Sequence, residues 1–129
     1  MAFLVDTHTF VWFLTEDKKL SKKVSEILQM AEKGEETIII PTIVLAEIMY
    51  ICEKKKIGLY FKDIIEKLKD SVNYIVCDLD LDTIIKANEI DNIIELHDRI
   101  IVASAMLTDS KILTKDENIG RSDYVETIW

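Results

Sequence analysis

The sequence predicts an α/β fold, a three-layer α/β/α sandwich around a central, mostly parallel sheet of four to five strands. Three observations predict it. Short apolar runs at residues 3–5, 37–40, 74–77 and 111–114 alternate with stretches of helical periodicity. The runs are apolar almost continuously rather than at every second residue, as in strands covered on both faces. Finally, 129 residues with only three Gly and one Pro leave little chain for long loops, so the elements follow one another closely in a single domain over residues 1–129.

Residues 3–5 give the first strand, which stops at Asp6, and residues 7–14 then read as a helix. Residues 21–33 follow, with Val24, Ile27, Leu28 and Ala31 on one face, Ser21 as N-cap and Gly34 as the residue that ends the helix. Residues 37–40 are β-branched throughout, and Pro41 both terminates this strand and suits the first turn of a helix over 42–56. After Gly58, residues 61–69 carry Phe61, Ile64, Ile65 and Leu68 at helical spacing. Residues 74–77 make the third strand. Residues 81–94 read as mostly helical, with Ile84, Ile85 and Ala87 inward and Asp80 or Asp82 near the start. A helix from Asp98 then places Asp98, Ile101, Val102 and Ala105 on one face. Residues 111–114 form the fourth strand, and 124–128 a short fifth at the edge.

The formal charge of −8 argues against a protein that coats nucleic acid by bulk electrostatics, but leaves open an enzyme that recruits a few phosphates through metal ions. The lysine clusters at 18, 19, 22 and 23 and at 54, 55 and 56 read as solvated helix faces. Cys52 and Cys77 lie in apolar runs without a spaced motif, as reduced core residues of an intracellular, cytoplasmic protein. No signal core or membrane-length apolar run is present.

Four carboxylates share a placement. In open parallel sheets, ligands bind beyond the carboxyl ends of the strands where strand order reverses. Asp6 lies just past the first strand and Asp116 just past the fourth. Glu47 falls in phase with Val44, Ile48 and Ile51, so its charge starts from an apolar helix face with no Lys or Arg one turn away. Asp98 opens the helix that carries Ile101 and Val102. Each has a bland alternative: a helix cap or turn for Asp6, Asp98 and Asp116, and a rim position reaching water for Glu47. One cause covers all four, an oxygen-lined site for Mg²⁺ or Mn²⁺, where one or two ions orient a water and offset charge on a phosphodiester. The only histidines, His8 and His97, each neighbour one of these aspartates, so no Ser–His–Asp or Cys–His arrangement competes.

Four segments then carry a family resemblance: Phe3-Leu-Val-Asp-Thr-His-Thr-Phe-Val-Trp12, Pro41-Thr-Ile-Val-Leu-Ala-Glu-Ile48, His97-Asp-Arg-Ile-Ile-Val-Ala-Ser-Ala105 and Ile112-Leu-Thr-Lys-Asp116. In this order and spacing the chain resembles PIN domains, and among them the VapC-type toxins of toxin–antitoxin pairs. The resemblance implies sheet order 3-2-1-4-5 and a metal-dependent endoribonuclease that hydrolyses RNA with a metal-activated water. It also implies a homodimer and an antitoxin protein as partner. By residue, Asp6, Glu47, Asp98 and Asp116 match the family's acidic metal site. Thr7 and His8 match the Asp-Thr-His form of the first motif, and Thr114 the hydroxyl that orients the site. Arg99 follows the third acid, to meet phosphate or, by slight preference, to form a salt bridge with Glu95. The segment Phe10-Val-Trp-Phe-Leu14 is apolar nearly all round its helix, which suits such contacts.

Three other readings are weaker. A calcium loop over Asp78, Asp80, Asp82 and Glu89 has Thr83 where the sharp turn needs Gly. A receiver-like phosphoacceptor module would use Asp78 with Asp6, Thr114 and Lys115, yet Asp6 is followed by Thr7 rather than a second acid. Two helices also separate strands two and three, and again three and four, where receivers alternate one for one. A PIN-fold binding module without catalysis is the third; the presence of all four acids counts against it.

Overall fold

Leu4 pairs with Ile39 on one side and with Ile112 on the other, which makes β1 (Ala2–Val5) the centre of the sheet. The computed structural model describes residues 2–54, 57–93 and 95–129. Next to β1 lie β2 (Thr37–Pro41) and then β3 (Tyr74–Cys77) on one side, and β4 (Lys111–Leu113) and β5 (Thr127–Ile128) on the other. All four pairings are parallel, so the sheet has five strands in the order β3-β2-β1-β4-β5. Phe3, Leu4 and Val5 are all buried, as are Ile38, Ile39 and Ile40. Because successive side chains of a strand point to opposite faces, unbroken burial means cover on both faces, which is the predicted three-layer sandwich.

Helix α1 (Thr7–Leu14) follows β1, and α2 (Lys22–Glu32) lies against β2. Ser21 caps α2 by accepting the Val24 N–H at 3.1 Å. Gly34, at φ +82°, ends it: its N–H meets the Ala31 carbonyl and the Glu35 N–H meets that of Met30, the paired bonds of a left-handed helix stop. Pro41 is the last residue of β2, paired with Cys77, and not the first turn of α3 (Thr42–Lys54). Its missing N–H costs nothing at the end of the ladder. Lys55 and Lys56, the end of the predicted helix, lie outside the described residues, as does Ile94. Helix α4 (Phe61–Asp70) packs on β3, and α5 (Leu81–Asn88) on α6 (Leu96–Thr108), which in turn touches α3.

Several predicted features differ. Helix α5 ends at Asn88, and the chain beyond it is anchored instead by buried Ile90 and Ile93. Ala87 faces inward, but Ile84 and Ile85 are 46% and 52% exposed, with Ile75 and Val76 of the edge strand β3 exposed as well. The periodicity put more apolar residues on the inner face of α5 than α6 covers. Helix α1 differs in the opposite sense. Phe10 and Val11 are buried and Trp12, Phe13 and Leu14 half-buried, Trp12 lying edge-on to Trp129 at 5.9 Å. Exposed apolar side chains therefore include those of β3 and α5. Only the last two residues of the expected 124–128 strand are extended, and a short helix α7 (Glu117–Gly120), not foreseen, follows Asp116.

Candidate functional site

The chain leaves β1 towards β2 and leaves β4 towards β5, on opposite sides of the same crevice, so the carboxyl ends of β1 and β4 open onto one place. Asp6 stands at the first of these ends. It caps α1, with Oδ1 accepting the Thr9 N–H at 3.0 Å, while Oδ2 accepts the hydroxyl of Thr114 from beyond β4. Thr114 is 3% exposed, and the same hydroxyl oxygen accepts the Asp116 N–H at 3.0 Å. Asp116 caps α7 through Oδ1, which accepts from Asn118 at 2.8 Å and Ile119 at 3.2 Å. The capping roles weighed for Asp6 and Asp116 are thus filled, each by a single oxygen.

Glu47 rises from the middle of α3, whose neighbours Val44 and Ile48 are fully buried, and its side chain is 29% exposed. Oε1 accepts the hydroxyl of buried Thr7 at 3.0 Å, and Oε2 faces His97 Nδ1 at 3.5 Å. Its partners are a hydroxyl and an imidazole, not the Lys or Arg that a lone carboxylate on an apolar face would recruit.

Asp98 is not the cap of its helix. Glu95 is, accepting the Asp98 N–H at 2.8 Å, and Asp98 sits three residues inside, with Ile101, Val102 and Ala105 buried below it. Among the described residues its carboxylate accepts no hydrogen bond. Burial first, then the charges of Asp116, Glu95, Asp6 and Glu47, push its pKa up to about 6. The three other acids that sequence placed on this edge therefore act on Asp98 through space. The expected ion pair between Arg99 and Glu95 does not form. Glu95 turns to the helix N-terminus and to His97 (3.9 Å), leaving Arg99 Nε buried without a partner among the described residues. Thr9 Oγ1 is the other such orphan, three residues from Asp6.

Among the described residues no three carboxylate, imidazole or thiolate groups stand close enough for a closed ion cage. The donor chemistry nevertheless fits a hard divalent cation. The four groups are carboxylates, the donors such an ion prefers, and burial together with the neighbouring acid charges raises the pKa of Asp98. Two clefts open here, one lined by Asp6, His8, Trp12, Lys115 and Asp116, the other by Glu47 and His97. A cavity of about 770 Å³ lies at the opposite edge, between Ala2 and Lys111 at the amino ends of β1 and β4.

The alternatives find no support in this arrangement. Asp78 is exposed beyond the edge strand β3, two strands from Asp6, whereas receivers order their strands 2-1-3-4-5. Asp80 caps α5, which runs through the positions a calcium loop would need, and buried Thr83 bonds back to Asp80.

The PIN-domain family model matches residues 3–123. The chain belongs to the PIN-domain family. Members of that family are typically nucleases and generally depend on metal. Solved structures agree in fold. A chain of VapBC2 from Rickettsia felis, bound to a promoter DNA fragment, is 20% identical with a TM-score of 0.74, over 100% of this chain and 99% of that one. DNA-bound VapBC from Salmonella typhimurium is 18% identical at TM-score 0.73, over 99% and 97%. A toxin–antitoxin complex from Klebsiella pneumoniae is 16% identical at TM-score 0.70, over 98% and 95%. No curated protein matches in sequence. Within this PIN fold, sequence reasoning had assigned no role to His97 or to the capping of Glu95. The signal for His97 was its position directly before Asp98.

Proposed function

We propose that this PIN-domain chain is a Mg²⁺- or Mn²⁺-dependent endoribonuclease, the toxin of a toxin–antitoxin pair, and that residues 1–129 act as one domain. The observation that carries the reading is the convergence of Asp6, Glu47 and Asp116 on Asp98 at one sheet edge, where burial first, and then the charges of Asp116, Glu95, Asp6 and Glu47, push the Asp98 pKa up to about 6. These four would hold the ion, which when bound orients a water and offsets charge on the RNA phosphodiester. Thr114 aims Asp6 and the chain entering Asp116, and Thr7 aims Glu47. Arg99, without its expected acid partner, is available to a phosphate or to the shape of the α6 start.

An antitoxin protein and a second copy of the chain complete this reading as partners. The VapBC and toxin–antitoxin structures with the same fold support the first. Exposed Ile75, Val76, Leu81, Ile84 and Ile85 supply apolar surface for such association. Among the described residues no helix is long and apolar enough to cross a membrane. The proposed location is the cytoplasm, where PIN toxins generally act.

The test is cleavage of RNA by the purified chain. Cleavage in Mn²⁺ that EDTA stops supports the reading. Activity that survives EDTA contradicts it, and a metal-loaded protein that cuts no RNA favours the non-catalytic binding module.

A further inference from the structure

Three residues beyond Glu47 on α3 stands Tyr50, and four beyond that Lys54, all on one helix face. Tyr50 is 59% exposed, and Lys54 Nζ lies 5.8 Å from the centroid of its ring. With His8, Ile51 and His97 they line a cleft of about 390 Å³, and Glu47 belongs to its wall. That volume is within the range of clefts that enclose a small ligand.

We propose that this cleft is a nucleotide subsite, in which an unstacked base of single-stranded RNA lies on Tyr50 and its phosphate meets Lys54. The proposal rests on the ribonuclease reading above and adds the surface that holds the strand. Tyr50 does not hold α3 in place, since Val44 and Ile48 do that and are fully buried. An exposed ring is a stacking platform that every base can use, and the phosphate of that nucleotide draws the Lys54 ammonium off the ring face. Charge complementarity points the same way. In a chain of net charge −8 the four acids repel a polyanion, so a cation is needed a short way along the strand's path. Seven residues of helix put Lys54 about 10 Å from the level of Glu47, suited to a nucleotide flanking the scissile bond. A base held in this way must leave its helix, which selects single strands or loops over duplex.

The experiment compares wild type, Tyr50→Ala, Tyr50→Phe and Lys54→Gln. It follows binding of a fluorescein-labelled single-stranded RNA in EDTA by anisotropy, and cleavage of the same RNA in Mn²⁺. Tyr50→Ala should raise Kd and KM about tenfold, which is ~1.4 kcal/mol, with kcat moving much less. Tyr50→Phe keeps the stacking face and should recover most of the loss. Lys54→Gln should flatten the salt dependence of Kd. A blunt duplex of the same sequence should bind Tyr50→Ala and wild type alike. If wild type cleaves RNA but Tyr50→Ala and Lys54→Gln stay within twofold of it in both KM and Kd, the subsite is wrong while the ribonuclease reading stands. A wild type that neither binds nor cleaves the RNA overturns both.

Discussion

Thr114 gives its hydroxyl proton to Asp6, 108 residues earlier in the chain, while its oxygen takes the backbone N–H of Asp116. One buried hydroxyl thus fixes the ends of β1 and β4 relative to each other and aims a carboxylate. Thr114→Val keeps the shape and removes both bonds, leaving an acceptor and an N–H unsatisfied. The expected loss is about 1–3 kcal/mol in urea unfolding, with a fall in RNA cleavage beyond what the remaining folded fraction explains. Thr114→Ser should recover most of both. A valine variant with wild-type stability and cleavage would show that the bridge does neither job.

The raised pKa of Asp98 sets a pH dependence with a definite sign. Its folded value is about 6 against an ordinary 3.8, so the folded state holds the proton more tightly than the unfolded one. Below pH ~4 both states are protonated and the site imposes no penalty. Between pH 4 and 6 folding stability falls as pH rises, and above about 6 the full penalty is present. Asp98→Asn removes it. In EDTA the variant should therefore be more stable than wild type at pH 7.5 by ~1–2 kcal/mol, a figure discounted for solvent screening, and nearly equal at pH 4. Denaturant titrations at the two pH values check this. A variant less stable than wild type at pH 7.5 contradicts it.

Helix α6 ends on Asp109, held at φ 50° in the left-handed region with a negative charge beside the helix's negative end. Both features are unfavourable, and Asp109 lies at the amino edge of β4, away from the acids. Asp109→Gly should raise stability by about 0.5–1 kcal/mol without altering RNA cleavage. Thermal melts and a cleavage assay measure the two separately.

The sheet was legible because Leu4 and Val5, Ile38 to Ile40 and Ile112 and Leu113 are continuous apolar runs, a pattern that only two-sided cover explains. The α5 face was not. Ile84 and Ile85 have helical phase, but phase tells which residues share a side and not whether a neighbour covers it. The acids were visible through their placement after strands one and four and on an apolar helix face. What sequence could not supply were the partners: Glu95 takes the cap that Asp98 was weighed for, and His97, not Arg99, approaches an acid of the site. Both turn on which way a side chain in the first turn of α6 points, which spacing does not fix. Helix α7 escaped because four residues are too few to show a period.

Thermal melts of wild type and Asp98→Asn at pH 7.5, each in EDTA and in Mn²⁺, test the shared metal site most directly. The order of the two proteins should reverse. In EDTA the asparagine variant melts higher, because one of four crowded charges is gone. In Mn²⁺ at a hundred times its dissociation constant wild type gains about 2.7 kcal/mol and overtakes the variant, whose own gain is much smaller. Identical melting of the two proteins in both conditions, or equal stabilisation of both by the ion, would contradict a shared metal site at Asp6, Glu47, Asp98 and Asp116.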